Sequence, residues 1–143
     1  VIRDGWFYTG DLGTMDKDGL FRITGRCKNV IVTKNGKNIY PEEVEYYLNK
    51  CKLISESLVF GEDEDEETYV KAKLFLNADA IKEKLKTKTP SKDEIHKLIS
   101  DTIKDINKKL PSYKSIKRFH ISDNEFIKTT TQKIKRFVNI DRK

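Results

Sequence analysis

Apolar positions along the chain follow two periods, and the switches between them mark the elements. Val44, Tyr47, Leu48 and Cys51 repeat at i, i+3, i+4 and i+7, the spacing of one helix face. Pro41 fits the first turn of that helix, with Glu42 and Glu43 near its positive N-terminal end. A longer helix is predicted from Ile95, Leu98, Ile99, Ile103, Ile106 and Leu110, with Ile95, Leu98, Ile99, Ile103 and Ile106 expected to be buried. Ser91 and Glu94 form a capping box at its start, each side chain meeting a backbone N–H that the helix leaves orphaned. Pro111 stops it. Between Thr68 and Leu76 the period becomes two: Val70, Ala72, Leu74 and Leu76 alternate with Tyr69, Lys71, Lys73 and Phe75, a half-buried strand. Ser57 to Phe60 predicts a strand before it, and Phe119 and Ile121 one after it. Asp18-Gly19 between two short apolar runs predicts a hairpin. The β-branched run Val30 to Thr33, followed by Asn35-Gly36 and Asn38-Ile39-Tyr40, predicts a second with positive φ at its turn. Ile134, Phe137 and Val138 begin a last helical turn. The order is mixed rather than strictly βαβ, so the fold class is α+β with a small sheet.

Charge changes this picture in two places. Glu62 to Glu67 is an unbroken acidic run, expected as the solvated connection between two strands. Lys128 to Lys143 holds six bases and one acid, and its first part, Lys128 to Lys133, has no apolar period and is expected as an exposed loop. The formal net charge is +6, but lysines outnumber arginines 23 to 6 and are scattered over every helix. Nucleic-acid grips favour clustered Arg forks, so a solvated surface is the reading and no nucleic-acid partner is expected. The length of 143 residues fits one compact domain plus a fragment. No window approaches the ~18 consecutive apolar residues of a membrane span. Val1 to Asp4 lacks the basic start and apolar stretch of a secretory signal. Cys27 and Cys51 are too few for a disulfide framework and lack zinc spacing; they read as reduced thiols of a cytoplasmic protein, Cys51 on a helix's buried face. The chain opens on Val in mid-motif, which leads us to expect a piece of a longer protein.

Chemistry is concentrated in small, Gly-marked segments: Tyr8-Thr9-Gly10-Asp11, Gly25-Arg26, Asn35-Gly36 and the lysine-bearing tail. His96 and His120 are isolated and read as structural; no ligand cluster suggests a metal. A carboxylate suits two ribose hydroxyls because it accepts from both at once. An Arg beside it suits phosphate or the same ribose, donating in pairs. A lysine on a mobile loop can carry positive charge to a reacting carboxylate and phosphate, then leave. Together these are parts of a nucleotide-dependent activation site.

Asp4-Gly5-Trp6-Phe7-Tyr8-Thr9-Gly10-Asp11, Gly25-Arg26-Cys27-Lys28-Asn29-Val30-Ile31-Val32 and Gly36 to Glu45 resemble, in order, consecutive motifs of the adenylate-forming enzymes. Lys128-Thr129-Thr130-Thr131-Gln132-Lys133-Ile134 resembles that superfamily's C-terminal lysine motif, and Thr33 to Pro41 is most similar to the long-chain fatty acyl-CoA synthetase branch. The resemblance implies that 1–27 is the end of a large N-terminal domain and 28–143 a small mobile C-terminal domain. Asp11 would hold the ribose hydroxyls and Arg26 would assist near ribose and phosphate. Lys28 would sit at the hinge, Gly36 on the loop lining the CoA channel, and Lys133 would be the adenylation lysine. The family's lysine motif usually begins with Pro and places Gly before the lysine; here those positions are Ile127 and Gln132, so Lys128 and Lys135 stand as alternatives.

The implied activity is ATP-dependent, AMP-forming acyl-CoA synthesis, with ATP, CoA and Mg²⁺ required by the full-length enzyme. The phosphate loop, acyl pocket and Mg²⁺ carboxylate would lie in the large domain, so this fragment alone is expected to be inactive. The expected partners are the protein's own N-terminal domain, fatty acid, ATP and CoA, with room for peripheral membrane contact by the parent. An adenylation domain that loads a carrier protein is the alternative within the family, and a basic nucleic-acid-binding module the alternative outside it.

Overall fold

A computed structural model describes residues 1–65 and 67–141. Glu66 of the acidic run, and Arg142 and Lys143 of the basic tail, lie outside them.

Three short antiparallel pairs come first. They are β1 (Ile2–Arg3) with β2 (Trp6–Phe7), β3 (Asp11–Met15) with β4 (Phe21–Arg26), and β5 (Ile31–Val32) with β6 (Asn38–Ile39). A 3-10 turn at Cys27–Asn29 joins the second pair to the third. Helix α1 (Pro41–Asn49) follows, with Pro41 in its first turn as the sequence predicts. It leads into β7 (Ile54–Glu64) and β8 (Glu67–Leu76), then helices α2 (Ala78–Leu85) and α3 (Lys92–Asn107), strand β9 (Ile116–Ser122) and helix α4 (Arg136–Asp141). Strand β8 is central in a three-stranded sheet, antiparallel to β7 and parallel to β9.

One face of this sheet carries the main core. Val59, Val70, Ala72 and Leu74 pack with Val44 and Leu48 of α1, Ile81 of α2, and Ile99, Ile103 and Ile106 of α3. Ile31 and Ile39 bring the β5–β6 hairpin into the same cluster. The capping box of α3 forms in both directions: Glu94 N–H donates to Ser91 Oγ (3.2 Å) and Ser91 N–H to Glu94 Oε2 (2.8 Å). Ile95 and Leu98 are only partly buried, because they flank the contact stripe. The helix ends at Asn107, short of Pro111. There the Asn107 amide pairs with both backbone groups of Ile116 (2.9 Å each) and starts β9.

Several expectations change. Strand β8 is half-buried as read except at its middle: Lys73 is only 5% exposed, because the C-terminal segment covers that part of the second face, where Leu58, Phe126 and Asn139 are also buried. Leu58 lies opposite Lys73 in the ladder, which puts both on the face turned away from Val59 and Ala72. The acidic run is not a loop, since the ladder continues to Glu64 opposite Glu67. Its acids find partners across strands: Glu62 pairs with Lys71 (2.8 Å), Asp63 accepts from Thr68 (2.7 Å), and Glu64 pairs with Arg118 (2.6 Å). Helix α2 is an addition. Its only well-placed apolar residues are Ile81 and Leu85, too few to show a stripe. Its ends are set by Asn77, which accepts from Ala80 N–H (3.1 Å), and by Lys86 at φ 53°. Cys51 lies past the end of α1, half-buried in the following turn rather than on the helix face. In α4 the apolar Phe137 and Val138 face solvent while Asn139 is buried.

Ile99 is fully buried at the centre of the α3 stripe. Ile99→Ala should lower unfolding stability by about 2–5 kcal/mol in urea denaturation; a loss below about 0.5 kcal/mol would remove α3 from the core.

Candidate functional site

Three hairpin loops of this chain close in the same way. In each, the fourth residue donates to the carbonyl of the first: Gly19 to Asp16 (3.0 Å), Gly36 to Thr33 (2.8 Å) and Gln132 to Thr129 (2.9 Å). The first residue's N–H returns to the fifth residue's carbonyl: Asp16 to Leu20, Thr33 to Lys37, Thr129 to Lys133. The first residue's side-chain oxygen then accepts the fifth residue's N–H, in Asp16–Leu20 (3.0 Å), Thr33–Lys37 (3.0 Å) and Thr129–Lys133 (3.1 Å). The fourth position is left-handed throughout, with φ of 81°, 72° and 62°. This is the three-residue hairpin loop, a type I turn ending in a left-handed residue. Gly19 and Gly36 adopt that conformation without strain; Gln132 must bear it. The tail is therefore not a plain loop but a hairpin tip, with Lys128 and Ile134 bridged across its base.

The first hairpin places Asp11 opposite Arg26 in the β3–β4 ladder, and Arg26 Nε pairs with Asp11 Oδ1 at 2.8 Å. Arg26 then lines a cleft of about 550 Å³ together with Glu42, Glu45, Gln132, Lys133 and Arg136. Gly25 makes room for its floor: a Cβ there would stand 2.8 Å from Glu42 Oε2. Lys133 is exposed on this cleft. The structure thus brings Arg26 and Lys133 to one cleft from opposite ends of the chain, with Asp11 held beside Arg26. Lys28 lies in the 3-10 turn directly after Arg26 and lines a neighbouring groove with Arg136 and Phe137. Gly36 sits at the tip of the β5–β6 hairpin, away from the cleft. Its neighbours Lys34 and Lys37 line a separate groove with Tyr113, and the Lys37 ammonium stands 4.6 Å from that ring's centre.

The cleft's floor holds charges that the sequence reading did not assign to the site. Arg136 Nη2 pairs with Glu45 Oε2 (2.6 Å) and approaches Glu42 Oε1 (3.5 Å). Asn29 donates to Glu42 Oε1 (2.7 Å), and Glu42 Oε2 is buried with no hydrogen-bond partner among the described residues. Burial raises the Glu45 carboxyl above its ordinary range; the charge of Arg136 and the N–H of Val59 pull it back only in part. The i, i+3 spacing of Glu42 and Glu45 on α1 was the available sequence signal for this acidic pair. Lys128 is tied to Glu56 by an ion pair, and that hydrogen bond raises its pKa. Among the described residues no group of three or more His, Cys, Asp or Glu side chains could hold a metal ion, and no helix is long and apolar enough to cross a membrane.

The strain at Gln132 is testable. Gln132→Gly should raise stability by up to about 1 kcal/mol, because glycine enters the left-handed region freely, whereas Gln132→Val should lower it. Thermal or urea denaturation reads both; equal stabilities would mean that the tip does not hold a left-handed residue.

Comparison with known proteins identifies the family. The family model for the AMP-binding enzyme C-terminal domain matches residues 28–138. The long-chain-fatty-acid–CoA ligase FadD15 of Mycobacterium tuberculosis is 33% identical over 153 residues, covering 96% of this chain and 25% of that protein. A long-chain-fatty-acid–CoA ligase of Bacillus subtilis is 49% identical over 61 residues, which cover 43% of this chain and 11% of that protein. Among solved structures, o-succinylbenzoate CoA synthetase of Bacillus subtilis, bound to its acyl-adenylate intermediate, superposes with a TM-score of 0.76 at 26% identity, over 99% of this chain and 26% of that one. The chain thus spans a quarter or less of the curated relatives' length. It belongs to the family of AMP-binding enzyme C-terminal domains.

Proposed function

We propose that this chain is the C-terminal part of an ATP-dependent, AMP-forming acyl-CoA synthetase acting on a fatty acid. The observation that carries the reading is the cleft where Arg26, paired with Asp11, meets Lys133. Family membership and the names of the fatty-acid ligases it resembles support the substrate class. In this reading residues 1–27 end a large N-terminal domain and 28–143 form the mobile domain. The exposed Ile2, Trp6, Phe7, Phe21 and Ile23 support a covering partner, the protein's own N-terminal domain. ATP and CoA are substrates of the whole enzyme and Mg²⁺ its cofactor, with the metal ligands assigned to the large domain. Its place of work is the cytoplasm.

Each residue has a physical task. The Asp11 carboxylate accepts hydrogen bonds from ribose hydroxyls, and Arg26 holds that carboxylate in place while offering its remaining N–H donors to ribose or phosphate. Lys133, anchored by its backbone to Thr129 but with its side chain exposed, brings an ammonium to the charge that develops as the fatty-acid carboxylate attacks the α-phosphate. Lys28 is the hinge, at a turn between paired strands, and Gly36 approaches the CoA channel by its backbone. Lys128 is a poorer candidate than Lys133 because Glu56 already holds it.

In the full-length enzyme, Lys133→Ala should cut acyl-AMP formation by about 10²–10³-fold, the scale for losing one preorganised electrostatic contact. Thioester formation from supplied acyl-AMP should change far less. If Lys128→Ala or Lys135→Ala abolishes adenylation while Lys133→Ala does not, the lysine is misplaced; if none of the three matters, the role proposed for the tail fails. Lys28→Pro fixes φ where rotation is required, so one half-reaction should survive far better than the other. Equal loss of both would remove Lys28 as the pivot.

A further inference from the structure

The hairpin that carries Lys133 leaves the body of the protein at Ile127 and is rejoined by α4 at Asn139. Asn139 is 1% exposed, while its neighbours Phe137 and Val138 face solvent, so this helix turns an amide inward in place of those two apolar residues. Burying an amide is unfavourable unless its hydrogen bonds are made. Here they are made to one end. Asn139 Oδ1 accepts the N–H of Ile127 (2.8 Å), and Asn139 Nδ2 donates to the carbonyls of Ile127 (2.9 Å) and Lys135 (2.8 Å). The side chain thus acts as a strand partner for Ile127 and closes the neck of the loop. Lys135 N–H also donates to the Ile127 carbonyl (2.9 Å), which doubles the closure.

The neck is fixed to the sheet as well. Lys73, in the central strand and 5% exposed, donates from Nζ to the Asn139 carbonyl at 2.8 Å. A continuous run of polar contacts, buried at Lys73 and Asn139, therefore leads from the middle of β8 to Ile127 and so to the hairpin. Ile127 stands where the resembling motif usually has proline, which offers no N–H; the bond to Asn139 Oδ1 exists because Ile127 does offer one.

We infer that Asn139 and Lys73 are positioning residues for adenylation: they hold the base of the Lys133 hairpin in register with the sheet, so that the ammonium meets the reacting atoms at the cleft. This rests on the assignment of Lys133 made above. A displacement of about 1 Å in a catalytic group is enough to cost about 10²-fold in rate.

The test uses the full-length enzyme with Asn139→Leu, which keeps the branched shape and the number of side-chain heavy atoms and removes all three side-chain hydrogen bonds, and Lys73→Met, which keeps the apolar stem and removes the ammonium. Both should lower acyl-AMP formation at least tenfold while thioester formation from supplied acyl-AMP stays within twofold. Amide exchange of Ile127 should quicken in Asn139→Leu while that of Ile99 to Ile106 stays unchanged. A merely space-filling role would lower both half-reactions together or neither, and either result overturns the inference. If Asn139→Leu does not fold, Lys73→Met alone decides by the same split. Lys133→Ala is measured alongside. If it lowers adenylation and the two variants do not, the inference fails and the lysine assignment stands; if it has no effect, the assignment fails, and unchanged Ile127 exchange would dismiss the neck closure separately.

Discussion

The arrangement depends on how one edge peptide is held. Strand β7 lies at the edge of the three-stranded sheet, and Val59 turns both of its backbone groups outward. Glu45 Oε1 accepts its N–H at 2.7 Å, and Arg136 Nη1 donates to its carbonyl at 3.0 Å. The same two side chains pair with each other through Glu45 Oε2 and Arg136 Nη2. One residue of sheet edge is thereby bracketed by α1 on one side and the C-terminal segment on the other. The bracket blunts an edge that would otherwise invite another strand. It also fixes where Arg136, three residues from Lys133, must lie. Burial is the largest influence on Glu45 and outweighs its charged partner, so the pair contributes position more than stability. Removing one member alone would leave a buried charge, a loss of about 3–5 kcal/mol in comparable pairs.

What could be read from the sequence was what local chemistry decides. The capping box of Ser91 and Glu94, Pro41 at the start of α1, and the Asp18-Gly19 and Asn35-Gly36 loops each depend on a few neighbouring residues, and each stands as read. What could not be read depends on segments distant along the chain. Alternation in β8 marks two faces but cannot tell that residues beyond 122 will cover the second, so Lys73 reads as solvated when it is buried. The acidic run reads as a loop because its cations, Lys71 and Arg118, come from other positions on the ladder. Helix α2 hides because two apolar residues make no stripe.

The candidate site divides in the same way. Asp11, Arg26 and Lys133 stand out as residue types in recognisable surroundings; Arg26 and Lys133 line one cleft, and Asp11 is paired with Arg26. Glu42, Glu45, Arg136 and Asn139 carry no chemistry that stands out, yet they set the floor of that cleft and the base of its lysine hairpin. Their task appears only when α1 and α4 are seen on either side of β7. Ile127 and Gln132, two departures from a familiar pattern, have structural counterparts: a side-chain amide that accepts the extra N–H, and a left-handed residue held by the same bonds that hold Gly19 and Gly36.

The parallel pairing of β8 with β9 has a consequence for how the chain assembles. The β7–β8 hairpin closes over neighbouring residues, but β9 can join only after both α2 and α3 have been passed, a longer and slower loop to close. The segment bearing Lys133 lies beyond β9, on a face that exists only once the sheet is built. During synthesis, which delivers the chain from its N-terminus, Lys133 thus finds its seat only after the sheet has formed. A nascent or damaged chain whose third strand has not docked has nowhere to place it, and the role proposed for Lys133 waits on completion of the fold.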